Sequence, residues 1–150
     1  MLGTDNSPAP STLAARILVV DDFGPWRLSV CRRLEAHKHL QVVGEATDGL
    51  EAIQKAQELK PDMVLMDISL PNLNGIAAAR WIGKLAPKAR ILFLTQHNDA
   101  GMMNAALSDG VQGYVLQADA ESELLPAIEA VLRGEKFVSM RLRDWSSLTG

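Results

Sequence analysis

With a single cysteine, Cys31, in 150 residues, the chain can form no internal disulfide, which suits a reducing compartment. Cys31 lies among helix-patterned residues with no catalytic partner, so it reads as a small core thiol. Long apolar runs are missing too. The longest are about four residues, far below the roughly 20 needed to cross a bilayer, so no membrane span is expected. Met1 to Ser11 has neither a basic region nor an apolar core and is not a signal peptide. A cytoplasmic location is the expectation. Positive charge is also scarce. The formal net charge is −3, which argues against a stand-alone nucleic-acid binder. Arg133, Lys136, Arg141 and Arg143 are interrupted by acids and read as solvated charges at a helix end and tail. His37 and His39 have no metal-ligating neighbours and read as exposed.

What the chain does have is 47% apolar and 22% charged residues, enough for one soluble globular domain with a full core and too short for two ordinary ones. Residues 1–14, rich in Pro, Ser, Thr and Ala, read as a disordered lead. From Arg16 onward apolar runs at 17–20, 41–46, 63–66, 91–94 and 113–116 suit buried parallel strands. Amphipathic segments of helical length lie near 25–37, 49–59, 75–85, 100–109 and 122–133. Asp48-Gly49-Leu50-Glu51 resembles a capping box, after which Leu50, Ile53 and Ala56 follow one face. Pro61 stops that helix at Lys60, and Gly110 suits a position just past the fourth helix. Pro126 is tolerable if the fifth helix begins near Glu121–Glu123, so that the proline falls in or near the first turn. Five βα repeats predict an α/β doubly wound parallel sheet with helices on both faces.

Sheets of that kind place function at the C-terminal strand ends. Ile17-Leu18-Val19-Val20 runs into Asp21-Asp22, Met63-Val64-Leu65-Met66 runs into Asp67, and Ile91-Leu92-Phe93-Leu94 runs into Thr95. The fifth strand carries Tyr114 at its start and is followed by Gln117. Three carboxylates at one sheet edge repel one another and require a cation or a proton. For oxygen-only ligands the natural cation is Mg²⁺, and Mg²⁺ beside a carboxylate nucleophile points to phosphoryl chemistry. In that chemistry Asp67 would attack phosphorus, Asp22 would bind the ion with Asp21 beside it, Ser69 would offer its backbone carbonyl, and the Thr95 hydroxyl would donate to a phosphoryl oxygen. Each aspartate alone could be a helix cap or turn former; the pattern of all three carries the reading. Tyr114 could equally be a half-buried strand aromatic. His97 reads as a solvated loop histidine, with a place lining the pocket as the alternative. Trp26 lies near the metal side or anchors the first helix. Of Met102 and Met103, core packing covers at least one.

Ile17 to Asp22, Val64 to Asp67 with Leu70-Pro71-Asn72-Leu73-Asn74-Gly75, Thr95, and Gly113-Tyr114-Val115-Leu116 together closely resemble the receiver domain of two-component response regulators, over about residues 15–137. Gly113 to Asp119 and Leu132 to Ser139 resemble most the subfamily whose receiver precedes a helix-turn-helix output domain. The resemblance implies a flavodoxin-like (βα)5 fold with five parallel strands in the order 2-1-3-4-5. It implies that Asp67 accepts a phosphoryl group from a sensor histidine kinase in a phosphorelay, that Asp21 and Asp22 hold Mg²⁺ with Asp67 and the Ser69 carbonyl, and that Thr95 and Tyr114 form a switch pair. It further implies homodimerisation on activation through the fourth helix, fifth strand and fifth helix, no enzymatic turnover beyond self-phosphorylation and dephosphorylation, and DNA contact only through an output domain outside this chain. Residues 138–150 are expected to be a linker or tail toward that domain.

One position departs from the family: Gln117 stands where it has a lysine that pairs with the phosphoryl group. A neutral amide donates hydrogen bonds about half as strong as charged ones. A receiver that acts as a phosphorylation-independent interaction module is therefore the competing reading. An aspartyl phosphatase would carry an aspartate where Ser69 stands, and a flavin protein would not place Asp21-Asp22 against a phosphate. If the phosphoacceptor reading holds, Gln117→Lys should increase phosphoryl uptake, or the dimerisation that follows it, measured with a small phosphodonor and Mg²⁺. Uptake and dimerisation both unchanged would show that the missing lysine does not limit the site.

Overall fold

The computed structural model describes residues 13–107 and 111–143. Every apolar run expected as a strand is one. In chain order the elements are β1 (Ala15–Val20), α1 (Gly24–Glu35), β2 (Leu40–Ala46), α2 (Gly49–Leu59), β3 (Met63–Met66), α3 (Gly75–Leu85), β4 (Arg90–Thr95), α4 (Ala100–Leu107), β5 (Gly113–Leu116), a 3-10 turn (Gln117–Asp119), α5 (Ala120–Leu132) and β6 (Phe137–Val138). The strands are all parallel, in the order β2-β1-β3-β4-β5-β6. The flavodoxin-like order 2-1-3-4-5 is thus present, with a sixth, two-residue strand added beside β5.

Alternation along the strands divides the core between two faces, as a period of two requires. Leu18, Val20, Val64, Met66 and Phe93 pack with Ala52 and Ala56 of α2, Ala78 and Ile82 of α3 and Met103 and Ala106 of α4. Ile17, Val19, Met63, Leu65, Leu92 and Leu94 pack with Val30, Cys31 and Leu34 of α1 and Leu124, Ala127, Ile128 and Val131 of α5. Cys31 is buried, and burial pushes its thiol up to about 11, so it is inert at neutral pH. Met103 is fully buried and Met102 half-buried. No helix among the described residues is long and apolar enough to cross a membrane.

Several local expectations need adjustment. Asp48 caps α2 by accepting from the Glu51 N–H at 2.7 Å, but Glu51 returns to the Thr47 N–H at 2.7 Å, one residue before the cap. Leu50 points to solvent, 57% exposed, because the buried face of α2 is the small pair Ala52 and Ala56, flanked by Ile53 and Leu59. The fifth helix starts at Ala120, so Pro126 falls in its interior rather than near its first turn. Pro126 and Ser122 are both exposed, so the Ser122 carbonyl deprived of an N–H partner can bond water. His37 is half-buried; His39 is exposed beside Glu129, 3.6 Å away. Gly110 lies outside the described residues, as do residues 1–12 of the expected lead.

After α5, Gly134 turns the chain with φ +86°, a left-handed conformation that suits glycine. The chain then returns parallel to β5, with Gly113 opposite Phe137 and Tyr114 opposite Val138. Ser139 and Leu142 behind this strand are buried. The early part of the expected linker, as far as Arg143, is therefore packed on the sheet edge.

Two contacts seat the loop that follows β3. The Gly75 N–H donates to the Ile68 carbonyl at 2.7 Å, and the Asn74 side chain caps α3 through the Ala77 N–H at 2.9 Å. A Cβ at Gly75 would collide with the carbonyl oxygen of Asp67 and the Ile68 backbone. Gly75→Ala should therefore lower the unfolding free energy by about 2–3 kcal/mol, read from urea denaturation. An unchanged midpoint would show that the loop yields freely.

Candidate functional site

Parallel pairing of β1 with β3, with Val20 opposite Met66, brings the two strand ends level. The residues that follow them, Asp21, Asp22 and Asp67, meet above the sheet. One carboxylate oxygen from each lies within 4.8 Å of the others. The main chain fixes both approaches: the Asp21 N–H donates to the Ala46 carbonyl at 3.0 Å and the Asp67 N–H to the Val20 carbonyl at 3.1 Å. Asp21 is buried (6% exposed), Asp67 half-buried and Asp22 exposed.

The electrostatics follow mainly from burial. Burial, opposed by the Phe23 N–H bonded to it at 2.8 Å and reinforced by Asp67 and Asp22, pushes the Asp21 carboxyl up to about 6. Burial also raises Asp67, against hydrogen bonds from the Thr95 hydroxyl and the backbone N–H groups of Ile68 and Ser69. Both carboxyls thus resist ionisation in the absence of a positive partner. Arg27 is near, but its Nη1 donates to the Asp21 carbonyl at 2.8 Å and its Nε to Glu45 at 2.9 Å. The donor set is all oxygen, partly open to solvent, and suits a hard divalent cation.

Asp67 is linked away from the cluster as well. Thr95, fully buried, stands beside it, and its hydroxyl favours the ionised carboxylate. The His97 N–H donates to Thr95 Oγ1 at 3.3 Å, and the Tyr114 hydroxyl donates to the His97 carbonyl at 2.8 Å. Tyr114 is fully buried, turned inward with its ring in an edge contact with Phe93, 6.4 Å between centroids. Burial raises its hydroxyl beyond titration at neutral pH. Thr95 and Tyr114 are therefore joined through the main chain of His97. The His97 ring closes back over the site, with Nε2 at 2.6 Å from Ser69 Oγ. Sequence reasoning treated His97 as a solvated loop residue. Its signal was its spacing of two from Thr95, but main-chain bonds leave no trace in residue type.

Gln117 borders a cleft of about 260 Å³ together with Asp21, Asp22, Phe23, Trp26, Asp67, Ser69 and Gln96. Of the residues expected at the site, Asp21, Asp22, Asp67, Ser69 and Gln117 line this cleft while Thr95 and Tyr114 do not, and no lysine or arginine lines it among the described residues. Trp26 also lines it, and its buried indole N–H has no hydrogen-bond partner among the described residues.

Known proteins resemble this chain in sequence and fold. Residues 17–129 match the response regulator receiver domain. The chain is 37% identical over 128 residues to the oxygen regulatory protein NreC of Staphylococcus aureus, covering 85% of this chain and 59% of that protein. The crystal structure of a LuxR-family two-component response regulator from Aurantimonas sp. SI85-9A1 superposes with a TM-score of 0.84 at 37% identity, over 87% of this chain and 94% of that one. The isolated REC domain of RcsB from Salmonella enterica serovar Typhimurium, in the presence of the phosphomimetic BeF3−, gives a TM-score of 0.81 at 25% identity, over 87% and 97%.

Burial of the acids predicts an inverted pH response. A raised folded-state pKa stabilises the fold fully below the unfolded value of 3.8, and that stabilisation is lost as pH rises through about 6. Metal-free protein should therefore be less stable at pH 7 than Asp21→Asn, by about 1–3 kcal/mol, with the gap closing near pH 4. Equal stability of the two proteins at pH 7 in the presence of a chelator would contradict this.

Proposed function

The chain belongs to the response regulator receiver family, and we propose that Asp67 is its phosphoacceptor, with a Mg²⁺ ion held by Asp21, Asp22, Asp67 and the backbone carbonyl of Ser69. The observation that carries this reading is the convergence of three carboxylate oxygens, one each from Asp21, Asp22 and Asp67, within 4.8 Å. Such a cluster is held at a cost unless a cation meets it, and its hard oxygen donors fit Mg²⁺. The ion, when bound, would neutralise charge on the phosphoryl oxygens.

The protein's own residues do the rest. Asp67 in its ionised form is the nucleophile, and a bound cation would favour that form. A carboxylate oxygen forms the new P–O bond as the P–N bond of a phosphohistidine donor breaks, and the leaving imidazole nitrogen keeps the electron pair. The donor is a sensor histidine kinase. Thr95 then turns its hydroxyl toward the phosphoryl group. That reorders the chain of bonds through the His97 main chain to Tyr114, which carries the change to the face of α4, β5 and α5. A bias of a few kcal/mol suffices to shift such a two-state element. The chain spans about three fifths of the length of the curated relatives it matches. Homodimerisation on activation, DNA contact through an output domain and transcriptional control belong to this same proposal, as does a role in signalling without turnover of a metabolite.

Gln117 favours a second reading. Its amide leaves the cleft without a cation of its own among the described residues, as suits a receiver that binds partners independently of phosphorylation. Beryllofluoride with Mg²⁺ separates the two, followed by tryptophan fluorescence, to which Trp26 at the cleft contributes, and by oligomer size. A fluorescence change in the wild type that is absent in Asp67→Asn and with chelator is the expected result. A wild type that responds no more than Asp67→Asn would leave the interaction module in place.

A further inference from the structure

An anion delivered beside three carboxylates needs positive charge somewhere on its other flank. Next to the acidic cleft lies a second cavity of about 370 Å³, bordered by Thr95, Gln96, Asn98, Leu116, Gln117, Ala118 and Arg141. The two share Gln96 and Gln117 as their common wall. Arg141 is the only lysine or arginine bordering either of them among the described residues.

Its position there is built rather than incidental. The Leu116 N–H, at the end of β5, donates to Ser139 Oγ at 2.8 Å, and that hydroxyl donates to Glu123 Oε1 at 2.6 Å. The Met140 N–H donates to Glu123 Oε2 at 3.0 Å, and Leu142 is buried in the core. Residues 139–142 are thus latched to the end of β5 and to the first turns of α5, on both sides of Arg141. The Arg141 side chain is 59% exposed, with Nη2 at 2.7 Å from Asp119 Oδ1. Asp119 closes the 3-10 turn that Gln117 opens, so it holds the guanidinium beside Gln117. The pair is partly shielded, with the Asp119 side chain 17% exposed, and one N–H on Asp119 leaves four of the guanidinium's five donors for other acceptors.

Resting on the reading of Asp67 as phosphoacceptor, we propose that Arg141 is the positioning cation for the phosphoryl group. In this protein the C-terminal turn supplies the charge that Gln117 lacks. A phosphoryl dianion is a stronger acceptor than one carboxylate, so the guanidinium shifts from Asp119 toward Thr95 and Gln117 when Asp67 is modified. The latched turn then senses the modification directly, in addition to the route through Tyr114. The remaining charges on this turn do not compete: Glu123 is taken up by Ser139 and Met140, and Arg143 donates to the Val138 carbonyl at 2.8 Å and stacks on Phe137.

The test is the affinity for beryllofluoride with Mg²⁺, titrated on the full chain by tryptophan fluorescence. Arg141→Gln should weaken it by about three- to tenfold, Arg141→Lys by less, and Gln117→Lys in the Arg141→Gln background should restore it. Arg143→Gln removes the same charge from the same turn and should leave affinity unchanged. Wild-type affinity in Arg141→Gln, or an equal loss in Arg143→Gln, would overturn the proposal while leaving Asp67 as phosphoacceptor. Should Arg141→Gln lose binding by unfolding, Arg141→Lys and the double variant decide: weak binding in both, with folding intact, overturns it. A wild type that binds no better than Asp67→Asn would overturn the phosphoacceptor reading itself, and this proposal with it.

Discussion

Burial of the Asp21 and Asp67 carboxyls, with one oxygen of each within 4.8 Å of the other and of Asp22, is the constraint around which the rest of the site is arranged. Parallel pairing of β1 with β3 leaves the two strand ends level, and the backbone bonds of Asp21 to Ala46 and of Asp67 to Val20 prevent either acid from swinging away. The fold thereby holds two poorly solvated carboxyls against an exposed third. Their raised affinity for protons is the sign of that strain. A stack of apolar side chains at the same place would be more stable. The cluster suits a positive charge, and a bound cation would recover the stability given up.

Around this point the structure runs two connections outward. One runs from Asp67 to the neighbouring Thr95 hydroxyl, and then by two hydrogen bonds, from the His97 N–H to Thr95 Oγ1 and from the Tyr114 hydroxyl to the His97 carbonyl. It links Asp67 to a ring buried against Phe93, and so to the packing between β5 and α4. The other lies along the end of β5, where Ser139 and Glu123 fasten the C-terminal turn over the cavity beside Gln117. The first ends on buried packing, and the second borders the cavity that shares Gln96 and Gln117 with the acidic cleft.

The sequence displayed the carboxylate site well because its parts are written as residue type and strand phase. Four-residue apolar runs that end in Asp21-Asp22, Asp67 and Thr95 fix where the strands stop, and parallel topology then does the gathering. What it concealed depends on tertiary context. A two-residue strand such as Phe137–Val138 has no period to detect, and it forms because β5 offers an unpaired edge. Pro126 sits mid-helix because the burial of Leu124, Ala127, Ile128 and Val131 outweighs one missing hydrogen bond. His97 acts through its backbone. Arg141 looked like a solvated charge in a tail, and only the folding back of that tail places it beside Gln117.

The central claim is that Asp67 is the carboxylate on which this pocket does its chemistry. The most direct measurement is the site of modification itself, by mass spectrometry of the protein after reaction with acetyl phosphate and Mg²⁺. A single phosphoryl group mapped to Asp67, and absent when a chelator is present, is the result the account predicts. No adduct, or an adduct at another residue, would contradict it.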